Sequence, residues 1–341
     1  MALDRLPGAG ADSLQDLGAA IDRQCALVRP PGRWSEWCAD AGIRNADLRR
    51  WLGARFVAVE LVDGKRPEGL VTGYYEPVIR GSQQRQSATQ APILARPQDL
   101  LTIELAAIEP RLQGLRLRGR LDGQRVVPYY TRESMASRPA ADAEILGWAD
   151  DPVDLFFVEI QGSGRVALRD GGELRIGYAD QNGHPYRAIG RTLIDRGALQ
   201  AADVTAPAIK SWLRANAAAA PAVMNSNPSQ VFFRVLPGEV TGNAGPPGSL
   251  GAPLTPLRSV AVDRREIPLG TLLFVSTIDP IDGQAIERFV VAQDTGGAIA
   301  GTKRLDLFWG LGSRAEQAAG LMKAPARIWK LVPVDEAAKT R

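Results

Sequence analysis

Three stretches near the C-terminus decide how this sequence folds: Val262-Asp-Arg-Arg-Glu-Ile-Pro-Leu-Gly-Thr271, Val291-Ala-Gln-Asp-Thr-Gly-Gly-Ala-Ile-Ala-Gly301 and Leu305-Asp-Leu-Phe308. Each sets an aspartate (Asp263, Asp294, Asp306) at the edge of a short apolar run. Working outward, strands are expected at 259–262, 271–275, 288–292 and 304–308, then a helix over 314–322 and a last strand over 326–332. Evenly spaced short strands broken by glycine favour a closed barrel over a doubly wound sheet. A carboxylate among apolar neighbours loses water, which disfavours its charged form and keeps it protonated nearer neutral pH, as a general acid requires. Gly296 and Gly297 follow Asp294 and leave backbone open to a flat, bulky ligand such as a sugar. The plainer alternative is that all three aspartates satisfy turn amides.

Composition limits the chemistry. The 341 residues are 45% hydrophobic and 23% charged, which describes a globular chain long enough for two domains. One histidine, His184, and two cysteines, Cys25 and Cys38, exclude a His/Cys zinc cage and any scheme with two imidazoles, so no metal or other cofactor is expected. Carboxylates or a non-catalytic role remain. The net charge of +3 is too small to argue for nucleic acid, and the Arg111–Arg125 run reads as strands with solvated arginines. No apolar stretch reaches the ~20 residues of a membrane-spanning helix, and the start of the chain lacks the apolar core of a signal peptide. The two cysteines fit either one disulfide or a pair of buried thiols.

Earlier in the chain, helical spacing predicts a helix over 13–28, capped by Asp12 or Ser13, and a second over 45–55, with Trp34, Trp37 and Trp51 packed between them. After Phe56 the pattern turns to strands, including Gly69-Leu-Val-Thr-Gly-Tyr-Tyr-Glu-Pro77, and the polar 81–90 segment reads as a loop. The apolar run 153–160 is expected to be a strand ending in Gln161-Gly-Ser-Gly164, which matches neither a nucleophile elbow nor a dinucleotide fingerprint. Helices are expected over 185–196 and 207–219, and a loop over 236–256. His184, in an Asn-Gly-His-Pro turn, reads as structural.

Taken in series, Leu6-Pro-Gly8, Gly73-Tyr-Tyr-Glu-Pro77, Gln161-Gly-Ser-Gly164, Tyr178-Ala-Asp-Gln-Asn-Gly-His-Pro-Tyr-Arg-Ala-Ile-Gly190, Asn227-Pro-Ser229 and the three-aspartate block resemble the membrane-bound lytic transglycosylase A family. The resemblance implies a mainly β protein: a double-psi β-barrel domain (1–80 plus 232–341) with an inserted, β-barrel-like second domain (81–231), a groove between them and a small N-terminal helical part. It implies cleavage of peptidoglycan glycan strands without water, Asp306 acting as acid and then base, Asp294 as its companion and Asp263 as a structural residue. Tyr75, Glu76, Gln161, Ser163, Tyr186, Arg187, Gly296 and Gly297 are the expected lining of the substrate site. The family further implies a monomer at the periplasmic side of the outer membrane, lipid-anchored in its precursor, with cell-wall synthesis proteins as partners. That compartment favours a Cys25–Cys38 disulfide. Two rivals stay open: an inverting endoglucanase-like hydrolase with Asp294 as base, and a non-catalytic expansin- or barwin-like polysaccharide binder.

Overall fold

The computed structural model describes residues 1–40, 46–62, 68–113, 115–137, 143–238 and 244–339. The chain forms two compact units, Met1–Tyr75 with Glu239–Arg341, and Glu76–Gly238. The crossings fall a few residues outside the expected 80/81 and 231/232.

The first unit is built on a closed six-stranded barrel. Its strands are Gly69–Glu76, Ser259–Ala261, Leu272–Ile278, Ala285–Asp294, Arg304–Leu311 and Lys323–Pro333. The last closes the ring, pairing antiparallel with both Leu272–Ile278 and Gly69–Glu76. Ser259–Ala261 runs parallel to Ala285–Asp294 and antiparallel to Arg304–Leu311. Val71, Val260, Leu273, Val290, Leu305, Leu307, Trp309 and Ile328 fill the interior. Period-two alternation puts their sequence neighbours outside. Gly73 is required where its strand passes Trp309 and the helix Ser313–Leu321: a Cβ there would sit 2.6 Å from Trp309 Nε1 and 2.8 Å from Ala319 Cα.

A second layer covers one side of the barrel. Phe274, Phe289 and Trp329 pack against Leu17, Ile21, Trp34, Trp51 and Phe56, and Trp37 meets Trp34 and Phe56 edge-on. The expected tryptophan seam is therefore present, but the first helix is Leu17–Cys25 and does not begin near Ser13. Asp12 does not cap it. Its carboxylate accepts from Arg258 Nη1 at 2.8 Å, Arg258 Nη2 at 2.7 Å and Phe289 N at 2.9 Å, all buried. Asp47 caps the helix Leu48–Arg55 by accepting from Arg50 N; the expected start at Asn45 lies outside the described residues. Cys25 and Cys38 form a disulfide that ties Leu17–Cys25 to the helix Trp34–Ala39.

In the second unit a six-stranded sheet runs in the order Val231–Val235, Glu173–Gln181, Ser163–Leu168, Val78–Ser82, Ile145–Ala149, Ala91–Leu94. A bridge from Ala95 to Phe233 curls its two edges together. The expected strand over 153–160 is instead the helix Pro152–Gln161. An unbroken apolar run does not distinguish the two, and the local signals decide: Asp151 accepts from Val153 N, proline opens the first turn, and Gly162 ends it at φ +81°. Leu155 and Val158 pack into one buried cluster and Val153, Phe156 and Phe157 into another, so the helix is apolar on two faces and shows no amphipathic period.

The helix expected over 185–196 is Ile189–Asp195. Its intended first turn is held open because His184 Nε2 bonds Tyr129 O and Arg187 N donates to Asn227 Oδ1. The helix expected over 207–219 is Ala206–Ala215, ending at Asn216, and a separate short helix, Ala220–Asn225, follows it. A three-stranded sheet, Leu101–Glu104, Arg116–Asp122 and Arg125–Pro128, forms where strands were expected, and Arg111, Arg116 and Arg125 are exposed, but Arg118 departs from the reading of these arginines as solvated. Arg118 is only 11% exposed and bonds the buried Asp180 at 2.8 Å, whereas Leu117 and Leu121 are 42% and 60% exposed. The demand of a buried carboxylate sets which face turns inward. Among the described residues, no helix is long and apolar enough to cross a membrane.

Candidate active site

Asp306 lies on Arg304–Leu311, whose Leu305, Leu307 and Trp309 enter the barrel interior. Alternation therefore puts Arg304, Asp306 and Phe308 on the outer face. The same rule applied to Gly69–Glu76 sends Val71 and Tyr75 inward and brings Thr72 and Tyr74 to the face of Asp306. Ala261 pairs directly with Asp306 and packs with Tyr74, Leu254, Ile299 and Phe308, giving the site an apolar floor.

The two carboxylates are held differently. Among the described residues Asp306 accepts one hydrogen bond, 2.6 Å from Thr72 Oγ1 to Oδ1. Burial pushes its pKa up to about 6; the Thr72 bond and the Arg304 charge pull it down, and the Asp294 charge adds a further push upward. Asp294 accepts from Ser249 N, Ser249 Oγ and Thr295 N, each at 2.8 Å to Oδ1, and from Tyr74 Oη at 3.0 Å to Oδ2. Burial raises its pKa as well, but these donors favour the ionised form. The Tyr74 hydroxyl is driven far above its ordinary range by burial and by the two aspartates, so it serves as a donor. Asp306 is thus the carboxyl that can carry a proton near neutral pH, and Asp294 is the anchored one.

Ser249 reaches Asp294 because its loop is stitched to the end of Ala285–Asp294. Leu250 N donates to Gln293 O, and a Cβ on Gly248 would come within 2.5 Å of that carbonyl. The loop expected over 236–256 thus contributes to the site, although its residues 239–243 lie outside the described ones. Gly297 faces open space, whereas a Cβ on Gly296 would meet Ile299 at 2.8 Å. Asp263 forms a separate network: Arg265 Nε and Nη2 bind it at 2.9 and 2.7 Å, and Gly301 N at 3.0 Å. These donors hold it well below the usual carboxylate range, which fixes the turn and suits it poorly to acid chemistry.

Tyr75, expected to line the site, is buried and donates to Glu316 Oε1 at 2.9 Å, so it braces the helix Ser313–Leu321. Tyr74 takes the place beside the carboxylates. Strand alternation in Val71-Thr-Gly-Tyr-Tyr75 distinguishes the two tyrosines only once the interior face is known. The remaining expected lining residues belong to the second unit. Glu76 is buried against Arg165 Nη2 at 3.1 Å, and burial raises its pKa. Gln161 ends the helix Pro152–Gln161, Ser163 opens the next strand, and Tyr186 and Arg187 are exposed on the pinned 182–188 segment. Thr72, Tyr74, Ser249 and Arg304 escaped the sequence reading because their roles depend on pairings between distant strands.

Two family models match this chain. Residues 70–234 match the family model described as the MltA specific insert domain, and residues 258–332 match the 3D domain. Membrane-bound lytic murein transglycosylase A of Escherichia coli K12 is 34% identical over 267 residues, which span 76% of this chain and 64% of the relative's length. A crystal structure of MltA from Neisseria gonorrhoeae superposes with a TM-score of 0.84 at 34% identity, covering 98% of this chain and 91% of that one. Escherichia coli MltA with bound chitohexaose superposes at 0.73 with 26% identity, over 96% of this chain and 90% of that one.

Proposed function

This chain belongs to the membrane-bound lytic murein transglycosylase A family, and from that premise we propose that it is a peptidoglycan lytic transglycosylase, a lyase that cuts the β-1,4 bond between N-acetylmuramic acid and N-acetylglucosamine. The observation that carries the reading is the asymmetry of the two carboxyls: Asp306 with one donor and a pKa near 6, Asp294 with four donors.

Protonated Asp306 donates to the glycosidic oxygen as the bond from C1 breaks. The departing chain leaves with a free 4-hydroxyl. Ionised Asp306 then takes the proton of the muramoyl C6 hydroxyl, whose oxygen bonds to C1 and closes a 1,6-anhydro ring. The proton returns to Asp306, so the carboxyl is regenerated without water. Because the nucleophile is part of the substrate, proximity replaces a second encounter, and no second carboxylate is needed to activate water. Asp294, held in place by its four donors, steadies the oxocarbenium-like centre. Glycan binding draws support from the chitohexaose complex of the Escherichia coli relative. The relatives' name supports attachment to a membrane, and a lipid-anchored monomer at the periplasmic side of the outer membrane, working beside cell-wall synthesis proteins, completes the proposal.

Incubation with purified sacculi and mass analysis of the soluble products tests it. Products ending in 1,6-anhydro-muramic acid are expected. Reducing ends would establish a hydrolase, and no soluble product a binding protein. Asp306→Asn should abolish release while leaving the fold intact, and Asp294→Asn should be milder; the opposite order would exchange the two roles.

A further inference from the structure

Arg304 stands two residues before Asp306 on the same strand face, and it is half-buried. One of its nitrogens is committed: Nη1 donates to Leu305 O at 2.7 Å and approaches Leu70 O at 3.5 Å. That anchor fixes the guanidinium. Nε and Nη2 have no hydrogen-bond partner among the described residues, and no carboxylate there pairs with it in a salt bridge. Three other enclosed arginines in this chain each meet a carboxylate: Arg258 on Asp12, Arg118 on Asp180, Arg132 on Glu159. Neither nitrogen is among the buried polar atoms left without a partner, so both reach solvent and stay open to an incoming acceptor.

Resting on the functional reading above, we infer that Arg304 is a specificity-determining residue that binds the 3-O-lactyl arm of the muramoyl residue being cut. The chemistry and the spacing agree. Side chains two apart on one strand face stand about 6.8 Å apart along it. The lactyl arm leaves the sugar at C3, two ring atoms from the C1 at which Asp306 acts. In stem-free glycan the arm ends in a carboxylate, which a guanidinium fork recognises through charge-assisted bonds. In stem-bearing glycan it ends in an amide carbonyl, a weaker acceptor for the same donors. N-acetylglucosamine carries no such arm, so Arg304 would fix the register in which the muramoyl C1, and not its neighbour's, meets the acid.

The test measures binding in an Asp306→Asn background, which removes turnover, with three ligands: stem-free muramoyl glycan, the same glycan bearing its peptide stems, and chitohexaose. Arg304→Gln should weaken stem-free glycan by about tenfold or more, the loss of a charge-assisted hydrogen bond, and stem-bearing glycan by less. Chitohexaose should be unaffected. Arg304→Lys, which keeps the charge but loses the fork, should fall between and provides the reading if the glutamine variant does not fold. An equal loss for all three ligands, or no loss for any, would overturn the inference. Failure of the functional reading is seen separately, as wild-type protein that releases no anhydro-ended product from sacculi.

Discussion

Thr72 Oγ1 donates a 2.6 Å hydrogen bond to Asp306 Oδ1 across 234 residues of sequence. Among the described residues it is the one side-chain hydrogen bond that favours the ionised acid. Removing it with Thr72→Val should raise the pKa of Asp306, since the charged form loses a donor while burial is unchanged. The protonated acid is the active form, so wild-type kcat/KM should fall as pH rises through about 6. In the variant that fall should move to higher pH. A profile that does not move, or moves to lower pH, would contradict the assignment of Asp306 as acid.

The same carboxyl bears on stability. Its folded pKa of about 6 lies above the ordinary 3.8, so the fold binds the proton more tightly than the unfolded chain does. The stabilisation is complete below the unfolded value and is lost as pH rises through the folded one. Asp306→Asn has no charge to desolvate. Its Tm should match wild type at low pH and exceed it above pH 7 by about 2–4 °C, corresponding to about 1 kcal/mol once solvent screening of a half-buried group is allowed for. Thermal melts at several pH values check this.

Asp12 and Arg258 are each about 2% exposed in their side chains, and the pair joins the N-terminal segment to the barrel. Asp12→Asn leaves Arg258 charged, buried and short of its partner. The expected cost is about 3–5 kcal/mol, read by denaturant titration. Replacing both residues by apolar ones of similar size should cost much less, because no unpaired charge remains.

Much of the first unit was legible because its strands carry their own punctuation. The stretches around Asp263, Asp294 and Asp306 alternate apolar and polar residues between glycines, and the strands fall where that pattern puts them. The strand-edge contexts mark Asp263, Asp294 and Asp306 alike, and only the family resemblance sets Asp306 and Asp294 apart as a pair. What surrounds them was not legible, since Thr72, Tyr74 and Ser249 reach the site through pairings over 45 to 234 residues, which no local period encodes. The helix Pro152–Gln161 was misread for a different reason: its buried faces leave no amphipathic period, and its capping signals at Asp151 and Gly162 had to outweigh a run that reads equally well as a strand.

The Cys25–Cys38 disulfide closes a short loop between two helices of the layer covering the barrel. Reduction should destabilise the first unit by about 3 kcal/mol, the entropy returned to an unfolded loop of this size. Intact protein should also gain the mass of two hydrogens on reduction. Since the pair stands apart from the carboxylates, anhydro-product release at low temperature should persist in reductant while the melting temperature drops.

The closure of the barrel also governs when the site comes into being. Thr72 and Tyr74 precede the inserted unit, Asp294 and Asp306 follow it, and Lys323–Pro333, the last of the six barrel strands in order, seals the ring. A ribosome-bound or unfolded chain therefore holds no assembled acid, however much of the second unit has formed. Pairings over such separations are slow to find because the loop between them must first be ordered. In the reading proposed here, an enzyme that cuts the wall of its own cell is thus inert until its fold is all but complete.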